Sequence, residues 1–217
     1  DSIRGVTKRL KSNSTDAEGT VPIKSFDDSG FTFDTEMYYN ANGSSFVAWC
    51  WKAGGAAVSN TNGSITSSVS ANQEGGFSVV TWTGTNGTGT IGHGLGKAPK
   101  WIIIRRRDSA SSWVVYHYGV GNTKRLTLDS TGAESSGSAN WFNNTSPTST
   151  TFSVGADGGS NGSTDGYVAW CWADISGFSK FDKYTGNGSS DGVYVHLGFR
   201  PAWIMVKRTS SGDSWLT

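Results

Sequence analysis

The chain repeats itself, and that self-similarity constrains its fold more than any single motif does. FVAWCW (Phe46 to Trp51) returns as YVAWCW (Tyr167 to Trp172). LGKAPKWIIIRRR (Leu95 to Arg107) returns as LGFRPAWIMVKR (Leu197 to Arg208). A second Trp follows twelve residues after the first in each copy: Trp113 after Trp101, and Trp215 after Trp203. GFS at Gly76 to Ser78 returns at Gly177 to Ser179. TKRL at Thr7 to Leu10 returns at Thr123 to Leu126, each followed by an Ala-Glu pair (Ala17-Glu18, Ala133-Glu134). Residues 74–175 hold every block once, whereas 1–73 hold only the later blocks and 176–217 only the earlier ones. The order predicts one complete unit of about 100 residues between two partial ones, as in a piece of a longer tandem array. The alternative is that the two partial units close on each other in space. Residues 56–71 have no counterpart after Trp172 and are expected to form an added hairpin turning at Asn62-Gly63.

Within the blocks the pattern is that of strands. WIII (Trp101 to Ile104) is apolar at successive positions, as in a strand covered on both faces. Pro99 and Pro201 stand just before their strands, where a missing N–H is tolerated. In VAWCW, Val47, Trp49 and Trp51 share one face and Phe46, Ala48 and Cys50 the other. Gly, at 30 of 217 residues, is about twice its usual share. Much of it follows Asn or Asp (Asn42-Gly43, Asn86-Gly87, Asp165-Gly166), the chemistry of tight hairpin turns. No segment keeps a helical period over three turns. The expected fold class is all-β: a β-sandwich, jelly-roll or lectin-like, built from tandem repeats.

Catalytic and metal chemistry is sparse. Cys50 and Cys171 occupy the same repeat position between two Trp, which suits buried free thiols, with a disulfide between them the alternative. His93 and His196 precede the two LG turns and suit histidines bonded to nearby backbone, as against a metal ligand or proton shuttle. His117 completes the set, and no zinc spacing is present. Most of the acids, four Glu (Glu18, Glu36, Glu74, Glu134) and thirteen Asp, sit in turn-like contexts. A polysaccharide depolymerase, which needs two carboxylates at a set separation, is therefore the weakest reading, and no catalytic residue is assigned. NGSTDG (Asn161 to Gly166) and NGSSDG (Asn187 to Gly192) are too poor in acids to argue calcium, so no metal or cofactor is expected. A net charge of +1 argues against nucleic acid as a partner. No apolar run approaches the roughly 20 residues of a membrane-spanning helix. Arg105, Arg106 and Arg107 are expected at a solvated strand end, the alternative being an anion or partner contact.

Ten Trp, seven Tyr and ten Phe need burial or a partner. Trp49, Trp51, Trp101, Trp170, Trp172 and Trp203 lie in strand motifs and are expected in the core. Trp82, Trp141 and Tyr184 lie in more polar surroundings and are the candidate platforms for stacking on a glycan.

The blocks VAWCWKAGG, GFSVVTWTG, GHGLGKAPKWIII, WVVYHYG, NTKRL, WFNNTSPTSTTFSVG and GFRPAWIMVKRT, from about Thr7 onward, resemble a β-rich repeat domain of marine tailed-bacteriophage tail-fibre and other virion appendage proteins. The resemblance implies a virion or extracellular location and a non-enzymatic structural or adhesion module involved in host attachment. It supplies no catalytic residue. The expected partners are further copies of the chain, as a trimer or filament, other virion proteins, and a host surface glycan. A lectin-type glycan-binding domain and a capsid decoration or head fibre protein are the alternatives.

Overall fold

A computed structural model of the chain describes residues 1–21, 23–34 and 39–217. The N-terminal segment holds two short antiparallel ladders, β1 (Lys8–Arg9) with β2 (Gly19–Thr20) and β3 (Ile23–Asp27) with β4 (Gly30–Phe33). The middle of the chain runs through β5 (Val58–Asn60), β6 (Ser67–Asn72), β7 (Phe77–Thr83), β8 (Gly89–Gly92), β9 (Trp101–Arg106) and β10 (Val114–His117). It continues through β11 (Lys124–Thr127), β12 (Ser135–Ser136), a one-turn helix α1 (Ala139–Phe142), β13 (Thr151–Val154) and β14 (Gly166–Trp172). The C-terminal segment carries β15 (Val206–Lys207) paired with β16 (Trp215–Leu216). The fold is all-β, and every ladder between named strands is antiparallel.

Eight strands make the main sheet in the order β12-β11-β10-β9-β14-β7-β6-β5. Its centre is the second VAWCW block. β14 pairs with β7 on one side and β9 on the other, so that Trp172 stands between Phe77 and Trp101. The Trp101 and Trp172 rings stack at 4.2 Å. As alternation demands, Tyr167, Ala169 and Cys171 face one core. Val168 and Trp172 face the other, with Trp170 half-buried against it. The first core is closed by the β8–β13 ladder, Leu95 and Phe142. The second is closed by Ile3, Leu10 and Ala53 from the N-terminal segment and Phe181, Met205 and Trp215 from the C-terminal one. A fully buried side chain of this kind contributes about 1.5–3 kcal/mol relative to an exposed one.

The first VAWCW block behaves differently from its twin. Residues 46–51 form no ladder, and Trp49 and Trp51 are exposed, as is Trp203 in the C-terminal segment. The expectation of a core position therefore holds for Trp101 and Trp172 and fails for these three. The physical reason is the neighbours. β14 is flanked by FSVVTWT and WIIIRR, whereas GFS at 177–179 runs on as KFDKYTG, whose charges do not suit a central strand. Cys50 is exposed with its block, while Cys171 is buried; both are free thiols. The 56–71 hairpin forms as β5–β6 at the sheet edge, with Asn60 opposite Ser67. Its connection is the longer loop 61–66, and Asn62-Gly63 is only part of it.

Candidate functional site

The arginine run lies at the end of β9, and Arg107 lines a polar groove on the main sheet. Arg105 is buried, against the expectation of a solvated strand end. Its guanidinium donates to the carbonyls of Ser111 and Asp16. Arg106 pairs with Asp165 at 2.6 Å. Arg107 donates from Nε and Nη2 to the two oxygens of Glu18, at 2.9 and 3.0 Å. Arg4 reaches the same carboxylate from its Nη1 at 2.7 Å. Burial raises the Glu18 carboxyl, but the hydrogen bonds from Arg107 and Arg4 outweigh it and hold the group below the usual range. The bond to Glu18 in turn raises Arg107.

Beside this cluster lies an open groove of about 390 Å³. Its floor is a row of hydroxyls. Ser59 of β5 stands opposite Ser68 of β6, which stands opposite Thr81 of β7. Two-residue alternation puts Thr83 on the face of Thr81 and Thr66 on that of Ser68. Arg107 closes one side. A flat array of hydroxyl donors and acceptors beside a guanidinium can hydrogen-bond a polyol. Among the described residues its lining has no nucleophile with an adjacent base and no pair of carboxylates. Sequence reasoning missed this row because it gives the 56–71 hairpin but not its pairing with β7; the signal available was the alternation of these Ser and Thr with Val69, Val80 and Trp82. A second open cavity, of about 760 Å³, is a seam where segment 52–55 docks on the β6–β7 turn. There Asn72 Nδ2 donates to the Lys52 carbonyl at 3.1 Å, and the Ser70 hydroxyl to that of Gly55 at 2.7 Å.

The candidate stacking platforms do not form one surface. Trp82 is buried, stacked on Tyr167 at 5.3 Å and edge-on to Phe152 at 5.7 Å, so its ring faces are taken by the core. Its polar neighbours in sequence, Thr81 and Thr83, point to the opposite face of the strand, which is why a polar context misled. Trp141 is half-buried, and the Arg125 guanidinium lies over its ring at 3.8 Å. Tyr184 is exposed in a segment without strands.

The histidines and acids are placed as follows. His93 is fully buried; its Nδ1 accepts from the Leu95 N–H and its Nε2 lies 3.2 Å from the Thr148 carbonyl, which fixes the proton on Nε2. Burial lowers its pKa to about 4. His117 Nδ1 accepts from the Gly119 N–H at 3.1 Å, and burial lowers this ring too. His196 is exposed beside Tyr194. In NGSTDG, Asn161 is buried and bonded to Thr85 and the Gly87 carbonyl, and Asp165 is taken by Arg106. Among the described residues, no three His, Cys, Asp or Glu side chains converge as a metal site. Glu36 lies outside the described residues.

The whole chain, residues 1–217, matches DUF7483, a domain of unknown function. The chain belongs to that family. No curated protein and no solved structure matches it. The DUF7483 chain thus presents an eight-stranded sheet, an arginine–carboxylate cluster and an open hydroxyl groove.

Proposed function

We propose that this DUF7483 chain is a non-enzymatic structural and adhesion module of a phage tail fibre or other virion appendage, acting in host attachment. In finer detail the module is a lectin-like β-sandwich of repeat units that self-associates as a trimer or filament and touches other virion proteins. The observation that carries the reading is one contact used twice between different copies of the blocks. The Trp113 indole donates to the Lys11 carbonyl at 2.9 Å, and its repeat equivalent Trp215 donates to the Thr127 carbonyl at 3.2 Å. Repeats that dock through a recurring contact build extended or closed architectures. The phage assignment rests on the sequence resemblance. The test is antibody labelling of particles that contain the chain, read by electron microscopy. Label on a tail or fibre is the expected result, label on the head favours decoration, and no label on the particle overturns the reading.

A glycan-binding role is the second reading, and the Ser59–Ser68–Thr81 row beside Arg107 favours it. A glycan array with wild type and Thr81→Val tests it. Binding that weakens about tenfold in the variant is expected. No binding by the wild type, with and without Ca²⁺, removes this reading.

A further inference from the structure

We infer that residues 1–55 and 176–217 are the two halves of one second unit, and that 46–51, which carries no ladder in this structure, lies against 203–208 and pairs with it in solution in the register of β14 on β9. Aligning TKRL with TKRL places Lys8 on Lys124 and Gly19-Thr20 on Ser135-Ser136. The β1–β2 ladder pairs Lys8 with Thr20 and Arg9 with Gly19; β11–β12 pairs Lys124 with Ser136 and Arg125 with Ser135. The register is the same. Gly5 and its equivalent Gly121 both adopt positive φ, 97° and 92°. Aligning the Trp residues places Val206 on Ile104 and Leu216 on Val114. Val206 pairs with Leu216 as Ile104 pairs with Val114. Both segments thus fold locally as their counterparts in the complete unit do.

Their docking is reciprocal. The Glu18 N–H donates to the Arg107 carbonyl at 2.8 Å, and the Glu134 N–H to that of Thr209 at 2.9 Å. The Ser111 N–H donates to the Thr15 carbonyl at 3.0 Å, and the Asp213 N–H to that of Thr131 at 2.7 Å. Each pair is one contact between equivalent residues. In one, the N-terminal segment meets the complete unit; in the other, the complete unit meets the C-terminal segment. A linear stack would also give such a series, but in a stack the N- and C-terminal segments belong to units two apart. Here they touch. The Trp51 ring meets Trp203 at 6.4 Å and Trp172 at 5.7 Å. Trp51 and Trp203 are the equivalents of Trp172 and Trp101, the stacked cross-strand pair at the heart of the main sheet. The two segments also share the task of covering one face of that sheet. The arrangement is a pseudo-two-fold, with the second unit assembled in permuted order.

The β14–β9 register then dictates the partners. Cys171 faces Ile102 and Trp170 faces Ile103, so Cys50 faces Ile204 and Trp49 faces Met205. Ile204 is exposed, so Ile204→Cys removes no core contact. Mild oxidation of the full chain, followed by peptide mapping of the monomer, reads the pairing. A Cys50 disulfide in most monomers of Ile204→Cys, and at least tenfold less in Met205→Cys, is the expected result. Equal yields in the two variants, no disulfide, or a bridge only between two chains overturns the inference. Hydrogen exchange on the unmodified chain gives an independent reading: protection of amides in 46–51 is expected, and exchange at the rate of an unstructured peptide there refutes the pairing.

Discussion

Replacing Tyr167 by Phe removes one oxygen from the joint between β14 and the loop that follows Asp157. The side chain is fully buried, and its hydroxyl donates to the Gly158 carbonyl at 2.6 Å while accepting from the Gly162 N–H at 2.7 Å. Burial pushes the phenol up to about 12, so it remains a donor at every ordinary pH. In Tyr167→Phe both backbone groups lose their partner. A buried polar group left unsatisfied costs about 1–3 kcal/mol, and the hydroxyl that no longer needs burial offsets part of the sum. The net loss expected is about 2 kcal/mol, or a fall in Tm of about 4–8 °C for a chain of this size. Urea and thermal unfolding followed by tryptophan fluorescence measure it, with the urea midpoint moving and the slope unchanged. A loss under about 0.5 kcal/mol would refute the reasoning, since it would mean that the loop finds other partners without the hydroxyl. The first copy of the block already carries the variant: Phe46 stands in this position and is half exposed.

His93 makes stability depend on pH. Its folded pKa, lowered by burial to about 4, lies below the unfolded value near 6.5. The native state therefore holds the neutral ring, and its full contribution is present above about pH 6.5 and is lost as pH falls towards 4. The loss amounts to about 3 kcal/mol, and it should shrink in His93→Asn when the two proteins are compared by urea titration at pH 7 and pH 4.5. The two thiols should separate cleanly with a disulfide reagent at pH 8. Cys50 is exposed and should react at once, while Cys171, buried and with its thiol pushed up by burial, should react only in denaturant. Two fast thiols in the native protein would contradict the sheet core described for β14.

Strand character, turn chemistry and the special standing of the VAWCW and WIII blocks were legible in the residues, because alternation and Asn-Gly or Asp-Gly pairs act locally. The candidate site was less so. Trp82 and Thr81 are adjacent, and only the parity of β7 decides that the ring enters the core and the hydroxyl reaches the groove. Arg105 to Arg107 carry no local mark of their partners, since Glu18 and Asp165 lie far away along the chain.

The sequence by itself determined that this chain makes antiparallel β-structure, that its blocks recur in a set order, and that the 74–175 segment holds a full complement of them. Tertiary structure alone decided which of two near-identical blocks becomes the centre of a sheet. FVAWCW and YVAWCW have the same intrinsic preference for a strand, but a strand is stable only when neighbours satisfy its backbone and cover its faces. β7 and β9 provide both for Tyr167 to Trp172. No ladder does so for Phe46 to Trp51, and that difference lies in the surroundings, outside the six residues themselves.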